Sequence, residues 1–357
     1  MTPHFSAYLD LVRIACAVLV VLSHLAHSPL VSAYLWPFSY VGNEAVMAFF
    51  VLSGFIIAYV RHTREKTVQD YAMARLARLY SVILPAMLLT LVLDVVGTAV
   101  NAAHYAGARA FSDGNPQVAY GLSALMLNAS WGIDQHFGSN GAYWSIPYEF
   151  WYYVLFGAWA FFSGLPRLAL TLLAALVAGP RILLLMPVWL LGVALYHART
   201  LRRPAWLDAM AAIGGLALLL WMLRADASSL GKAGVLGLEP DGLAWQYLVG
   251  CCIAAHLFGA PRFTHLLDRL FQWIRHPMQW AADSTLALYL FHLPVLHALH
   301  AVLARGEHSA AAMALVVLAP FAVALTLGHW CEMHKRPLRA GLARALQRLR
   351  PAAEPRP

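Results

Sequence analysis

Charged side chains are scarce in this 357-residue chain, where Asp, Glu, Lys and Arg together make up 12% of the residues. A typical soluble domain carries about twice that fraction. Hydrophobic residues instead reach 61%, the mean hydropathy is +0.63, and apolar runs recur from end to end. The composition therefore excludes an ordinary soluble protein and predicts an all-α, polytopic integral membrane protein that forms one helical bundle.

Cysteine is scarce too, and its four positions exclude two further kinds of site. All four lie in or beside apolar segments, at Cys16, Cys251, Cys252 and Cys331. Their spacing matches neither a zinc-ligand pattern nor a disulfide framework. We therefore expect no metal site and no bound cofactor.

Ten transmembrane spans are predicted from the apolar runs, at 8–27, 41–60, 79–100, 143–163, 167–179, 181–198, 206–223, 243–259, 283–303 and 309–331. With both termini in the cytoplasm, nineteen Lys and Arg residues fall on the inner side and five on the outer side. This asymmetry follows the positive-inside rule. Topology thus accounts for the formal charge of +8, and no nucleic-acid partner is expected.

The same charge pattern decides two ambiguous segments. The apolar run 118–127 is predicted to be an interfacial or re-entrant piece of an outer loop, and Gly179-Pro180 is predicted to separate two short spans. The basic stretch after the last span carries leucines at i, i+4 spacing, which is typical of an amphipathic helix on the inner leaflet. We therefore divide the chain into a transmembrane domain, 1–335, and a basic cytoplasmic tail, 336–357.

The first span carries two costly groups for a bilayer helix, Arg13 and His24. At 100° per residue they lie within roughly 20° of one face, about 16 Å apart along the axis. An imidazole suits general-base chemistry near neutral pH, so His24 is a candidate base, and Arg13 on the same face indicates a polar seam along the helix. The alternative is that His24 reaches the outer interface or packs against a neighbour, as His27 is expected to reach the interface.

Further polar groups lie in the second and third spans. Ser53-Gly54 interrupts an apolar run, where glycine permits close helix packing. Arg75 and Arg78 are three residues apart and share a face at the inner mouth of the third span. Two guanidinium groups there are suited to gripping the phosphates of a nucleotide-bearing donor. The alternative is topogenic charge or contact with lipid head groups.

A carboxylate, Glu149, is predicted about two turns inside the fourth span. An intramembrane carboxylate requires a partner, and Arg13 and His24 are the candidates. The aromatic residues before and around it, including Trp144 and Tyr148, form either an interfacial belt or a surface on which a carbohydrate stacks.

Histidines gather in the ninth span, but none of them has the i, i+4 partner of a helical metal pair. His292 lies nearest the middle of the span and is the functional candidate among them. Glu332 closes the last span, where it is a second candidate or one member of an inner charge cluster.

These motifs together resemble those of the membrane acyltransferase-3 family, which comprises bacterial integral-membrane enzymes that O-acylate glycans. The matching stretches run in the family's order and cover nearly the whole chain. They are LDLVRIACAVLVVLSH, FFVLSGFII, the Arg75/Arg78 pair followed by Pro85, WSIPYE and LALYLFHLPV. Two positions depart from the pattern, because Pro147 stands where Ser is common and Glu332 precedes Pro337 by five residues rather than one.

The resemblance implies roles for individual residues of a stand-alone form that has no C-terminal hydrolase-like domain. Those expected to be catalytic are His24, Arg13 and Glu149. Those expected to bind acyl-CoA are Arg75, Arg78, Ser53 and Tyr80. Those expected to line the acceptor site or a pore are Trp144, Tyr148, His292 and Glu332.

The predicted reaction moves an acyl group, expected to be acetyl, from cytoplasmic acyl-CoA to a hydroxyl of an extracytoplasmic or lipid-linked glycan, such as an exopolysaccharide or lipopolysaccharide unit. His24 would deprotonate that hydroxyl, and Glu149 would orient His24. The expected partners are acyl-CoA as co-substrate, the glycan, membrane lipid and polysaccharide synthesis machinery, and the expected location is the bacterial inner membrane. The alternatives are a transporter or flippase for a glycan or small anion, or a non-catalytic partner of a synthesis machine.

Overall fold

A computed structural model describes residues 1–108, 115–228, 242–303 and 309–348. Within those ranges the chain is helical and contains no strands, which confirms the all-α prediction. The long helices of this part of the chain are α1 (Pro3–Leu25), α2 (Gly42–Thr63), α3 (Val68–Val100), α4 (Ile146–Phe161), α5 (Gly164–Ala178), α6 (Pro180–Ala198), α7 (Ala205–Ala209, Met210–Gly214 and Gly215–Ser228), α8 (Leu243–Gly259), α9 (Thr285–Leu303) and α10 (Ala310–Arg348).

The long helices coincide with the predicted spans, and eight of those described are long and apolar enough to cross a membrane. The two others, α4 and α5, have 16 and 15 residues, which is short for a crossing of about 20 residues. The protein is thus a multi-pass membrane protein. Ten crossings and cytoplasmic termini stay predictions.

The break between α5 and α6 falls at Gly179, as predicted from the sequence. Gly179 has φ +80°, and a Cβ there would lie 2.7 Å from the backbone nitrogen of Trp131. Glycine tolerates both the positive φ and this close approach. The run 118–127 overlaps the nine-residue helix Pro116–Ala124, which is too short to cross a bilayer and agrees with the prediction of a non-spanning piece.

Three predicted boundaries differ from the structure. The third helix begins at Val68, where the Thr67 hydroxyl caps it by accepting from the backbone N–H of Asp70 (3.1 Å), so the arginine pair lies inside the helix. The fourth begins at Ile146 after a 3-10 turn, so Glu149 lies in its first turn. The last helix runs to Arg348 without a break at 335/336, and residues 349–357 of the predicted tail lie outside the described residues.

Helix α2 lies at the centre of the bundle, with 67% of its apolar segment buried. Glycines let it approach α6 closely, because a Cβ on Gly54 would overlap the carbonyl oxygen of Trp189 and a Cβ on Gly192 would overlap that of Val51. The packing role predicted for Gly54 is therefore confirmed. This contact fixes the position of Ser53, the residue before it.

Candidate active site

A cavity of about 110 Å³ lies between α1, α2, α3, α4 and α9. We call it the arginine cavity, because three arginines contribute to its wall. Its polar and charged lining residues are Arg13, Ser53, Arg75, Arg78, Ser145, Glu149, Tyr153, Thr285 and Tyr289. It therefore brings together Arg13, Ser53, Arg75, Arg78 and Glu149, five of the residues that the sequence singled out.

Arg13 is fixed by neighbours on three helices: α1 itself, the short helix Arg275–Asp283 and α9. Its Nη2 donates to the carbonyl oxygen of Ala282 and to the hydroxyl of Thr285, both at 3.2 Å. Its Nη1 donates to Asp10 on the preceding turn of α1, at 3.4 Å. The guanidinium is thus held at the cavity wall between the start of α9 and its own helix.

The two arginines of α3 differ in how far their charge is neutralised. Arg75 forms an ion pair with Glu65, and the two side chains are 12% and 9% exposed. Arg78 forms no ion pair or side-chain hydrogen bond with any residue in the described ranges. Because both line the cavity, Arg78 supplies the cationic group there that is available to an incoming anion.

A hydrogen-bonded group holds the carboxylate of the arginine cavity. The Ser53 hydroxyl donates to Glu149 at 2.7 Å and accepts from the Trp189 indole at 3.2 Å, while the Tyr153 hydroxyl also donates to Glu149. Glu149 forms no hydrogen bond or ion pair with Arg13 or His24 in the described part of the chain, although Arg13 lines the same cavity. Its position in the first turn of α4 places it within reach of α2 instead.

A second cavity, of about 140 Å³, lies at the C-terminal end of α1. We call it the histidine cavity, because His24 lines it. The other lining residues are Val20, Ser23, Ser39, Tyr40, Gly42, Asn43, Glu44, Val46, Ala142, Trp144 and Tyr289. Its surface is therefore mainly polar, with hydroxyl, amide and carboxylate groups that can bond a polyhydroxylated molecule.

His24 presents one ring nitrogen to protein partners and leaves the other without one. Its Nδ1 lies 2.9 Å from the carbonyl oxygen of Val20 and 3.2 Å from Nε2 of His292. Its Nε2 bonds no residue in the part of the chain that the structure describes. The half-buried ring thus keeps a basic nitrogen for a molecule in the histidine cavity.

Glu44 is a lining residue of the histidine cavity that the sequence analysis missed. It lies in the first turn of α2, is buried, and accepts from the indole N–H of Trp245 on α8 at 2.9 Å. An acid in the first turn of a helix is ordinarily explained by the helix dipole. The only signal in the sequence was its place at the entry of an apolar span.

The two cavities adjoin, since Val46 and Tyr289 line both of them. The Tyr289 hydroxyl is hydrogen-bonded to the hydroxyl of Ser145 at 2.7 Å. A molecule that reached from one cavity into the other would pass this pair.

Four predicted residues line neither cavity. Tyr80 lies two positions after Arg78, about 200° around the helix, and donates to the carbonyl oxygen of Ala124 at 2.6 Å. Tyr148 is buried in an aromatic cluster, edge-on to Trp144 and stacked on Phe50. Because neither lines one of the two cavities, a role for these two in a binding site stays a prediction, whereas Trp144 lines the histidine cavity.

His292 and Glu332 are the other two predicted residues that line neither cavity. His292 is fully buried and contacts His24 rather than open space. Glu332 lies within α10, not at its end, and pairs with Lys335 one turn on. Among the described residues, no group of three or more His, Cys, Asp or Glu is arranged to hold a metal ion.

The fold and the paired cavities define a multi-pass membrane protein with an arginine-lined cavity beside a polar cavity that contains a histidine. A family model described as an acyltransferase domain, Acyl_transf_3, matches residues 6–330. The chain belongs to this acyltransferase family.

A curated relative is similar to part of the chain. The chain is 30% identical over 162 residues to a protein named O-acetyl transferase from Shigella phage Sf6. The match covers 43% of this chain and 46% of the relative, so the chain spans about half the length of that protein. No solved structure matches the chain.

Proposed function

We propose that this protein is a membrane O-acetyltransferase that moves an acetyl group from acetyl-CoA to a hydroxyl of an extracytoplasmic or lipid-linked glycan. One observation carries the proposal: a cavity walled by arginines adjoins a polar cavity that contains His24, with Tyr289 between them. A transferase requires a binding site for the donor and one for the acceptor, and the two sites must meet where the acetyl group is transferred.

The arginine cavity suits the donor, whose phosphates are anionic. Arg78 is the unpaired cation of its wall, and a guanidinium binds phosphate oxygens through several N–H donors at once. Arg13 also lines this cavity and lies on the same helix as His24. Glu149 offsets part of the positive charge of the three arginines. Either cavity alone is smaller than a typical small-molecule site of about 300–1,000 Å³. The donor's thioester arm therefore extends from one cavity toward the other, past Tyr289.

The histidine cavity suits the acceptor. Its hydroxyl and amide groups match a sugar, and Trp144 supplies an aromatic face. Glu44 gives it a negative group and no Arg or Lys lines it, which favours an acceptor that is uncharged near the reacting hydroxyl.

The chemical step needs only the groups that line these cavities. Nε2 of His24 takes the proton of the acceptor hydroxyl, and the resulting oxygen nucleophile attacks the thioester carbonyl carbon. The new C–O bond forms, the C–S bond breaks, and the CoA thiolate leaves with the proton returned by His24. The products are the O-acetyl ester and free CoA.

The setting follows from the predicted topology. Acetyl-CoA reaches the arginine cavity from the cytoplasm of a bacterium, and the glycan reaches the histidine cavity from the outer side of the inner membrane. An exopolysaccharide or lipopolysaccharide unit, delivered by polysaccharide synthesis machinery, fits this arrangement. Membership of an acyltransferase family favours group transfer over the transport and non-catalytic alternatives.

The test is the loss of acetyl transfer in His24→Ala. Membrane vesicles from the producing cells receive 14C-acetyl-CoA, and label in base-labile esters of the surface glycan is measured. Removing the general base is expected to lower transfer by about 100- to 10,000-fold. His27→Ala is the matched control, because His27 lies one turn further along the chain and is exposed.

His27→Ala is expected to transfer at the wild-type rate. Wild-type transfer by His24→Ala, at equal protein in the membrane, would overturn the assignment of the base. Absence of acetyl esters from the glycan of wild-type cells, with no free CoA released by the vesicles, would overturn the proposed function itself.

A further inference from the structure

We infer that His292 is a positioning residue for His24: it holds the His24 ring so that Nε2 is the basic nitrogen facing the histidine cavity. The inference rests on the proposed function. It assigns a role to a fully buried histidine that lines neither cavity and therefore acts through another residue.

The hydrogen bonds of His24 fix which of its nitrogens carries hydrogen. Its Nδ1 lies 2.9 Å from the carbonyl oxygen of Val20. A carbonyl oxygen only accepts, so Nδ1 is the protonated nitrogen of the neutral ring. Nε2 then holds the lone pair that a general base requires.

The hydrogen bonds of His292 fix the tautomer of its ring, so that it can accept a hydrogen bond from His24. Its Nδ1 lies 2.9 Å from the carbonyl oxygen of Leu288, so this nitrogen also carries hydrogen. Its Nε2 is consequently an acceptor, and it lies 3.2 Å from Nδ1 of His24. The Nδ1 hydrogen of His24 is shared between Val20 and His292.

His27, on the same helix, shows which of the hydrogen bonds of His24 is ordinary and which is not. His27 follows His24 on the same helix, and its Nδ1 bonds the Ser23 carbonyl oxygen at 2.8 Å. That bond to the preceding turn matches the one His24 makes to Val20. The second acceptor is particular to His24, whose ring centroid lies 4.9 Å from that of His292 at an interplanar angle of 56°.

The second acceptor matters because a base must keep its orientation while it gains and loses a proton. A carboxylate commonly orients a catalytic histidine, but Glu149 bonds Ser53 and Tyr153 instead. His292 supplies a neutral lone pair to the same edge of the ring. It supports the protonated form of His24 without burying an additional negative charge between apolar helices.

Two substitutions at the same position test this role. A glutamine side chain can place its carbonyl oxygen near the position of a histidine Nε2, whereas the shorter asparagine reaches only the position of Nδ1. We compare His292→Gln with His292→Asn, using His297→Gln on the same helix as the control. The assay is release of free CoA from acetyl-CoA by purified protein, with the cells' surface glycan, de-O-acylated by mild base, as acceptor.

His292→Asn is expected to lower kcat by about 10- to 100-fold, because it removes part of the rate enhancement that a correctly oriented general base supplies. KM for acetyl-CoA is expected to stay unchanged. His292→Gln and His297→Gln are expected to stay within about fivefold of wild type. Equal kcat in the Asn and Gln variants, or a loss that appears in KM alone, would overturn the inference.

Solid-state 15N NMR of the folded wild type gives a second reading that does not depend on either variant. The signals that disappear in His24→Ala should show a protonated Nδ1 and an unprotonated Nε2. The opposite tautomer would overturn the positioning role. Failure of the proposed function is distinguishable, because it requires wild-type protein that transfers no acetyl group.

Discussion

The arginine cavity and the histidine cavity are neighbours of similar size but opposite electrostatic character. The first is walled by Arg13, Arg75 and Arg78, and the second contains Glu44 and no Arg or Lys. An anionic ligand is attracted to the first and repelled by the second, while a neutral polyol is accepted by the second. In the proposed function this difference separates the binding of the donor from that of the acceptor without a conformational change.

The same comparison explains why the groups proposed to be catalytic do not form one cluster. Arg13 and His24 lie on one helix but line different cavities, and Glu149 belongs with Arg13. In this account binding of the donor and activation of the acceptor are separate tasks. They meet only where Tyr289 and Val46 line both cavities.

The largest change in substrate affinity is expected from a substitution in the arginine cavity. Arg78→Gln should raise KM for acetyl-CoA by about 10- to 150-fold, because a charge-assisted hydrogen bond contributes about 1.5–3 kcal/mol. KM for the glycan should not change. Steady-state kinetics with each substrate varied in turn measures both values.

Arg75→Gln is the matched comparison for that change. It leaves Glu65 buried without its partner, which costs about 3–5 kcal/mol, so it should lower the amount and thermal stability of folded protein. Equal KM values in the two variants would contradict the distinction between a paired and an available arginine.

A change at the shared residue should affect both substrates by a smaller factor. Tyr289→Phe removes the hydroxyl bonded to Ser145 at the junction, and a hydrogen bond contributes about 1 kcal/mol net. We expect kcat/KM to fall by about fivefold for acetyl-CoA and for the glycan alike. A loss confined to one substrate would place Tyr289 in one site rather than between them.

The smallest expected effect lies in the histidine cavity. Glu44→Gln keeps an acceptor for the Trp245 indole but removes the negative charge, so KM for a neutral glycan should change by less than about threefold. An acceptor carrying a carboxylate, such as methyl glucuronide, should become a better substrate than it is for wild type. Competition between methyl glucuronide and methyl glucoside measures this preference, and an unchanged preference would contradict the role of Glu44.

Much of the fold was predictable because a membrane restricts the choice of structure. A segment that crosses a bilayer must satisfy its backbone hydrogen bonds internally, so the length of each apolar run was enough to identify a long helix. Gly179 identified the break between two of these helices. The cost of burying Arg13 and His24 likewise drew attention to the groups that line the two cavities. Helix ends were less accurate, because the Thr67 cap extends α3 past the apolar run.

The pairing of polar residues was not predictable, because partners come from distant parts of the chain. Glu149 has several cations on neighbouring helices, yet its partners are the hydroxyls of Ser53 and Tyr153. Glu44 meets Trp245, 201 positions away. Tyr80 lies outside the arginine cavity for a simpler reason, since it is about 200° around the helix from Arg78.

The most direct test of the two-cavity account is equilibrium binding of acetyl-CoA to purified wild type, His24→Ala and Arg78→Gln. The account predicts that His24→Ala binds within about threefold of wild type although its transfer is about 100- to 10,000-fold slower, and that Arg78→Gln binds about 10-fold more weakly or worse. Loss of binding in His24→Ala, or wild-type binding in Arg78→Gln, would contradict the division of donor and acceptor between the two cavities.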